Sequence, residues 1–164
     1  MMAAARYPSA FSRLIVESAS LGSADPEARA RRRQLDAARA DDLRRRGLQA
    51  FCVDWYALPM WAGLTSPPVR TGHAEHLADA LQVFSQGNQP DLLPWLSLAP
   101  QRILWLAGAE DTAYVLQAET VRRRAHRVQI SLVQGAGHNV HDAQPDTWRQ
   151  QLLLFLQQPF QQEQ

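Results

Sequence analysis

Val128-Gln129-Ile130-Ser131-Leu132-Val133 is an apolar run that leads directly into the loop Gln134-Gly135-Ala136-Gly137-His138. A short apolar run followed by glycines predicts a buried strand that ends in a tight loop. In open α/β sheets, reactive groups gather outside the carboxyl ends of the strands. We therefore interpret His138, which stands at such an end, as a candidate catalytic base.

A second strand and loop of the same kind precede this one in the chain. Ile103-Leu104-Trp105-Leu106-Ala107 is a buried-strand candidate, and the acidic loop Gly108-Ala109-Glu110-Asp111 follows it. Thr112 to Arg124 has the pattern of a helix, so the two loops belong to consecutive strands. Because neighbouring parallel strands lie about 5 Å apart, the carboxylate of Asp111 can hold the imidazole of His138 by its second nitrogen.

The remaining apolar segments extend this pattern in both directions. Met1 to Arg6 is typical of the end of a helix, and Leu14-Ile15-Val16 predicts a strand that is buried between two layers. Pro145 to Leu156 predicts a final helix whose inward face includes Phe155 and Leu156. Strands and helices that alternate at this spacing predict an α/β fold with about three parallel strands and flanking helices.

Composition bounds the class of protein. The chain has 164 residues, of which 46% are hydrophobic and 20% charged, which suits one folded domain rather than a disordered segment. The net charge is +1, so neither nucleic acid nor a membrane is expected as a partner. No apolar run reaches the roughly 20 residues that span a bilayer, and the N-terminus lacks the layout of a signal peptide. With a single cysteine, Cys52, these features predict a cytoplasmic protein.

The segment after the first strand begins with a helix signature. Asp25 is a capping residue, Pro26 suits the first helical position, and the helix is predicted to stop at Gly47. Its arginines are interleaved with acids, which is typical of a solvated helix with ion pairs four residues apart. The alternative is that one or two arginines face inward toward an anionic ligand. These arginines are Arg29, Arg31, Arg32, Arg33, Arg39, Arg44, Arg45 and Arg46.

An aromatic segment follows, from Gly47 to Leu64. The many aromatic and aliphatic residues in this short segment predict one of two structures. The segment is either part of a core, because rings bury much apolar area, or a lid over an apolar pocket. His73 to Phe84 then has the apolar stripe of a helix. His73 and His76 have a spacing that two metal ligands can adopt, but no partner set stands near them, so no metal site is predicted there.

These segments together resemble one family. The specific part is the arginine helix followed by Asp54-Trp55-Tyr56, because the loops of Asp111 and His138 are shared with many α/β-hydrolases. The family is that of the α/β-hydrolase-fold 2-succinyl-6-hydroxy-2,4-cyclohexadiene-1-carboxylate synthases of menaquinone and phylloquinone (vitamin K) biosynthesis. The resemblance covers nearly the whole chain, through Leu14 to Ser18, Arg29 to Asp36, Asp54 to Pro59, Gln89 to Leu92, Gly108 to Asp111 and Gly135 to His141.

The resemblance implies a fold with three parts. The chain would be the C-terminal half of an α/β-hydrolase with a helical lid insertion. Residues 1–20 would hold the end of the nucleophile helix and the first core strand, and residues 21–98 would form the lid. Residues 99–164 would form the core strands and helices that carry Asp111 and His138.

The resemblance also implies a reaction. Members of the family are lyases that eliminate pyruvate from 2-succinyl-5-enolpyruvyl-6-hydroxy-3-cyclohexene-1-carboxylate, a small molecule rich in carboxylates. A serine activated by the histidine starts the elimination. By position, Asp111 and His138 would be catalytic.

The resemblance further suggests residues that bind the substrate. Arg29 or Arg32 from the lid helix and Arg70 would bind its carboxylates, with Trp55 as a wall of the pocket. No cofactor and no metal are expected. In particular, a metal site formed with His141 and Asp142 is not predicted, and these two residues are interpreted as loop scaffolding.

The chain departs from the family at the nucleophile. No Gly-x-Ser-x-Gly elbow occurs in the sequence, and the resemblance places that elbow before Met1. We therefore expect the chain to be inactive by itself and to expose a strand edge at Leu14 to Val16, which favours association or a complementing N-terminal piece. The open alternatives are another α/β-hydrolase that cleaves esters or carbon-carbon bonds, and a non-catalytic half-domain or decayed gene product.

Overall fold

The structure of the chain is a computed structural model, and it describes residues 1–64 and 71–159. Three parallel strands form its centre, namely β1 (Arg13–Glu17), β2 (Arg102–Gly108) and β3 (Val128–Val133). They lie in the order β1-β2-β3, with β2 hydrogen-bonded on both sides. The predicted α/β class with about three parallel strands is confirmed, and β1 extends one residue beyond each end of the predicted strand.

The helices of the described ranges lie between and around these strands. Single turns of 3-10 helix occur at Pro8–Ala10, Pro59–Trp61 and Gln86–Asn88. No described helix is both long and apolar enough to cross a membrane. The helices are α1 (Met2–Arg6), α2 (Pro26–Tyr56), α3 (Ala74–Val83), α4 (Leu93–Leu98), α5 (Thr112–Arg124), α6 (Val140–Ala143) and α7 (Pro145–Gln157).

β2 is covered on both faces, because its side chains alternate between two apolar clusters. Its odd-numbered residues from Ile103 to Ala107 pack in one cluster with Val121 of α5. The even-numbered Leu104 and Leu106 pack in the other with Phe155 of α7. A strand buried on both faces has the continuous apolar sequence that predicted it.

α7 begins at the predicted residue and ends one residue later than predicted, but one residue predicted to face inward does not. Phe155 is 1% exposed, whereas Leu156 is 44% exposed. The prediction that Leu156 faces inward is wrong, because adjacent helical residues point roughly 100° apart and Phe155 occupies the inward direction.

α2 begins as predicted and ends later than predicted. The Asp25 carboxylate accepts a hydrogen bond from the Glu27 backbone N–H, and Pro26 follows the cap. Gly47 leaves helical geometry, with φ 78° and ψ 165°, but the helix resumes and continues to Tyr56. The predicted stop at Gly47 is therefore a kink. The helix continues beyond the kink because Phe51 there packs with the apolar cluster that α2 and α3 bury between them.

β1 is an edge strand within the described part of the chain. It pairs with β2 on one side, and Ile15 on this strand is 37% exposed. An unpaired strand edge is a template for further pairing. Association through this edge stays a prediction.

Candidate active site

His138 and Asp111 meet at the carboxyl ends of β2 and β3. His138 Nδ1 lies 2.8 Å from Asp111 Oδ2, and the two side chains are 21% and 4% exposed. An ionised carboxylate can only accept, so Nδ1 of the neutral imidazole donates and Nε2 presents its lone pair. Asp111 stands at the N-cap of α5, but its side chain makes no capping hydrogen bond. The carboxylate therefore serves the imidazole rather than the helix.

Backbone contacts join the two loops that carry these side chains. The N–H of Ala109 donates to the Val133 carbonyl at 2.9 Å, and that of Glu110 donates to the Ala136 carbonyl at 3.0 Å. Gly108 permits this approach, because a Cβ there would lie 2.0 Å from the Gly137 carbonyl oxygen. The short distance between Asp111 and His138 therefore requires glycine at position 108, because a larger residue would push the two loops apart.

The lid, meaning the helical segment between β1 and β2, also contacts the histidine loop. His138 N–H donates to the Met60 carbonyl at 2.6 Å, and Gly137 N–H donates to the Ala62 carbonyl at 2.8 Å. The Trp61 ring meets the His138 ring edge-on, with centroids 5.4 Å apart. The position of His138 is therefore coupled to the end of the aromatic segment.

Glu17, which the sequence analysis did not select, fixes the start of α6. Its Oε1 accepts from the Val140 N–H at 2.8 Å and from the His141 N–H at 3.3 Å, and it lies 2.8 Å from His141 Nδ1. Its Oε2 accepts from Trp148 Nε1 at 2.8 Å. One carboxylate thus joins the end of β1 to the chain just after His138. The position of Glu17, a polar residue at the carboxyl end of a buried strand, is the sequence feature that could have identified it as part of the site.

A Glu17→Gln variant is expected to loosen this connection. The carboxamide has one acceptor oxygen in place of two and loses the charge, so we expect a loss of about 2 kcal/mol in free energy of unfolding. Amide hydrogen exchange at Val140 should accelerate, because its N–H donates to Glu17. Glu110→Gln, an exposed carboxylate in a neighbouring loop, is the matched control. Equal exchange at Val140 in both variants would contradict the assignment.

A cavity of about 610 Å³ lies between the lid and the Asp111–His138 pair, and both side chains contribute to its wall. Its aromatic wall comes from the segment for which core and pocket wall were the alternatives. Trp55 lies in this wall, and its role in binding a substrate stays a prediction. Phe51 of the same segment both lines the cavity and packs against a core cluster. The apolar wall includes Phe51, Trp55, Tyr56, Met60, Trp61 and Tyr114.

The polar part of the wall is a cluster of two arginines on one carboxylate. Asp36, 4% exposed at its side chain, accepts from Arg32 Nε at 2.8 Å and from Arg39 Nη1 at 3.1 Å. The Ser85 hydroxyl donates to the same carboxylate at 2.8 Å. Arg32, Asp36 and Arg39 all line the cavity. The spacing i, i+4, i+7 places the three on one helix face, a signal that could have identified Arg39 from the sequence.

The Asp36 carboxyl is ionised at neutral pH. Burial by itself would raise its pKa. Hydrogen bonds from Arg32, Ser85 and Arg39, with the positive charge of Arg32, outweigh burial and lower the pKa below its usual range. The wall therefore carries a fixed negative charge between two guanidinium groups.

The lowered pKa of Asp36 predicts how stability depends on pH. Between the ordinary carboxyl pKa of about 3.9 and the lower native pKa, the unfolded chain binds a proton that native Asp36 does not. The stabilisation is therefore complete above the unfolded pKa and is lost as the pH falls through the native one. Urea unfolding at about pH 6 and about pH 3 should show that the stability difference between wild type and Asp36→Asn shrinks in acid. An unchanged difference would contradict this expectation.

A second polar connection runs from the lid to His138. Arg32 Nη1 donates to Gln86 Oε1 at 2.6 Å, and Gln86 Nε2 donates to the Tyr114 hydroxyl at 2.6 Å. The Tyr114 ring meets the His138 ring with centroids 4.5 Å apart. Burial raises the pKa of the Tyr114 hydroxyl, against the hydrogen bond from Gln86 and the charge of Arg32. The hydroxyl therefore keeps its proton at neutral pH.

Of the remaining predicted substrate-binding residues, the structure describes Arg29 but not Arg70. The Arg29 side chain donates to the Gly87 carbonyl at 3.2 Å, and Arg29 is not part of the described cavity wall. Arg70 lies outside the described residues. The His73 and His76 rings contact each other at 5.3 Å. In residues 1–64 and 71–159, no group of three or more His, Cys, Asp or Glu side chains could hold a metal ion.

This fold and site define the class of protein. The chain has the fold of the C-terminal half of an α/β-hydrolase, with three parallel strands, flanking helices and a helical lid. MenH from S. aureus matches the structure with a TM-score of 0.80 and 29% sequence identity, over 89% of this chain and 59% of that one. A thermophilic esterase from Thermogutta terrifontis matches with a TM-score of 0.72 at 20% identity, over 93% and 58% of the two chains, and shows the fold alone.

Relatives by sequence include several proteins named 2-succinyl-6-hydroxy-2,4-cyclohexadiene-1-carboxylate synthase. That of Salmonella heidelberg (strain SL476) is 32% identical over 152 residues, which are 88% of this chain and 58% of the relative. That of Yersinia pestis (strain Pestoides F) is 31% identical over 153 residues, 88% and 54% of the two. The predicted resemblance to this synthase is confirmed, and the chain spans little more than half the length of these relatives. No protein-family model matches the chain.

Proposed function

We propose that the chain carries the acid-histidine pair and the substrate cavity of a 2-succinyl-6-hydroxy-2,4-cyclohexadiene-1-carboxylate synthase, a lyase of menaquinone or phylloquinone biosynthesis. The observation that carries the proposal is the Asp111–His138 hydrogen bond at the wall of a cavity that also contains Arg32. A guanidinium beside aromatic rings suits a small ring compound that bears carboxylates. A simple ester would bring no anion to Arg32 and Arg39, which share the one carboxylate of Asp36.

The proposed reaction is an elimination. A proton leaves ring carbon 2, its electron pair forms the 2,3 double bond, the existing 3,4 double bond shifts to 4,5, and the bond from carbon 5 to the enolpyruvyl oxygen breaks. The leaving enolate then takes up a proton and becomes pyruvate. His138 Nε2 would take the proton of a serine hydroxyl so that the serine can act as the base, and Asp111 would stabilise the imidazolium that forms. Arg32 would hold a substrate carboxylate, and Trp55 would pack against the ring.

This reaction requires a serine on an elbow that the 164 residues do not contain. We propose that a serine-bearing N-terminal unit supplies it and pairs with the free edge of β1. The members of a triad act as a unit, so the chain alone should have almost no activity. We also propose a cytoplasmic location, because the unpaired Cys52 suits a reducing compartment.

The test is pyruvate release from 2-succinyl-5-enolpyruvyl-6-hydroxy-3-cyclohexene-1-carboxylate. The chain would be fused behind the serine-bearing N-terminal part of the Salmonella relative and compared with the chain alone and with the fusion carrying His138→Ala. We expect pyruvate from the fusion and almost none from either control. A folded fusion that hydrolyses simple esters and releases no pyruvate would overturn the proposal in favour of a hydrolase.

A further inference from the structure

Arg39 is an arginine of the cavity wall that has no assigned task. Its side chain is 28% exposed, and among the described residues its hydrogen bond is the one from Nη1 to Asp36. Its guanidinium carbon lies 5.2 Å from the centroid of the Trp55 ring. The guanidinium is planar, and its N–H bonds point outward in that plane. When one face of the group rests on an aromatic ring, these N–H groups can still donate to a carboxylate.

Carboxylates are distributed unevenly among the arginines of α2. Arg44 contacts three carboxylates, those of Asp41, Glu75 and Asp79. Arg46 contacts those of Asp42 and Asp54. These two arginines of α2, which do not line the cavity, therefore each contact more than one carboxylate.

The two arginines of the cavity wall differ from Arg44 and Arg46. Arg32 and Arg39 share the single carboxylate of Asp36, which is ionised, so the three groups carry a net charge of 2 − 1 = +1. A guanidinium has five N–H donors, and these contacts use few of them. Half-buried donors with surplus positive charge are suited to an anion from a ligand.

The same cluster is linked to the candidate base by two routes along the cavity wall. Trp55, beneath Arg39, contacts Trp61 at 6.0 Å between centroids, and Trp61 contacts His138. Arg32 reaches His138 through Gln86 and Tyr114. A carboxylate bound by the arginines would therefore anchor one end of a ligand whose other end lies at the imidazole.

We propose that Arg39 and Arg32 together form one binding site for a single carboxylate, with Asp36 as the spacer between them, and that Arg39 is a specificity-determining residue of this cavity. The ligand class is an aryl or cyclohexenyl compound with a carboxylate on a short side chain. This inference rests on the proposed function for its role in catalysis, but the binding site belongs to the chain itself. It can therefore be tested without the missing serine.

The test measures binding to the full chain by isothermal titration calorimetry with two matched probes. 4-Oxo-4-phenylbutanoate carries the carboxylate, and 4-oxo-4-phenylbutanamide replaces it with a neutral amide of similar shape. We expect the wild type to bind the acid about tenfold more tightly than the amide, as a charge-assisted hydrogen bond would provide. Arg39→Gln should remove that preference and leave amide affinity unchanged. Arg31→Gln, which removes the same charge from an exposed position of α2, should change neither.

Each other outcome has a defined meaning. Loss of preference in Arg32→Gln with full preference in Arg39→Gln would overturn the shared site and leave the proposed function intact. An equal loss of acid and amide affinity in Arg39→Gln would show that Arg39 maintains the cavity shape and would also overturn it. A wild type without preference for the acid overturns the inference, and the proposed function is then judged separately by pyruvate release from the fusion.

Discussion

A Gly108→Ala variant is expected to lose about 3 kcal/mol of its free energy of unfolding, the upper part of the range for overpacked sites. The added methyl would lie 2.0 Å from the Gly137 carbonyl oxygen and 2.2 Å from that of Ala136. Both are backbone atoms, so no side-chain rotation can relieve the overlap. The loop of His138 must move away from β2, and the hydrogen bond to Asp111 should be weakened with it.

Urea unfolding followed by tryptophan fluorescence measures the first effect, and the NMR signals of the His138 ring report the second. Gly47→Ala is the matched control, because nothing lies within 4 Å of a Cβ at that position. Its φ of 78° and ψ of 165° lie in a region that is nearly restricted to glycine, so its expected cost of about 1–3 kcal/mol is backbone strain without overlap. Gly47→Ala should therefore leave the NMR signals of the His138 ring unchanged, whereas Gly108→Ala should shift them. Unchanged His138 signals in both variants would contradict the role of close packing at Gly108.

An Asp111→Asn variant is expected to reverse the protonation of the His138 ring. The amide nitrogen of asparagine can donate to Nδ1, which moves the imidazole proton to Nε2 and removes the lone pair that a base needs. In the serine-bearing fusion, the rate of pyruvate release should fall by about 10⁴-fold, the effect of a wrong tautomer in a triad. Stability should change far less, because the side chain is nearly isosteric.

Nitrogen-15 NMR of the histidine rings tests the tautomer in the chain alone, without any activity. Wild type should show a protonated Nδ1 at His138, and the variant a protonated Nε2. Asp142→Asn is the control, since Asp142 accepts from Asn139 and lies 3.6 Å from His141 Nε2 rather than from His138. Identical His138 tautomers in wild type and Asp111→Asn would remove Asp111 as the orienting group.

The sequence was sufficient to predict an element where its local pattern is compatible with only one structure. The apolar runs of β2 and β3 can be satisfied by strands covered on both faces, and their bounds followed within a residue. The pairing of Asp111 with His138 followed because consecutive parallel strands bring their carboxyl ends together. The proline and the capping aspartate located the start of α2 for the same local reason.

The sequence was insufficient where two elements compete for one surface. Gly47 is a stop signal in isolation, but packing of the following residues against α3 made it a kink. Phe155 and Leu156 are equally apolar, and only the direction of α7 relative to β2 decides which is buried. The aromatic segment could fill a core or line a pocket, because both bury rings.

The sequence by itself determined the fold class, the synthase resemblance and the pair of loops that carries Asp111 and His138, since each rests on short-range pattern. The tertiary structure alone placed the Glu17 carboxylate on α6, the Met60 carbonyl on the histidine loop and the Arg39 guanidinium over the Trp55 ring beyond the kink at Gly47. These contacts join residues that lie far apart in the chain, so a local sequence pattern does not fix them. Packing of α2 against α3 and Gln86–Asn88 is what places two arginines of an interleaved charge pattern in the wall of one cavity.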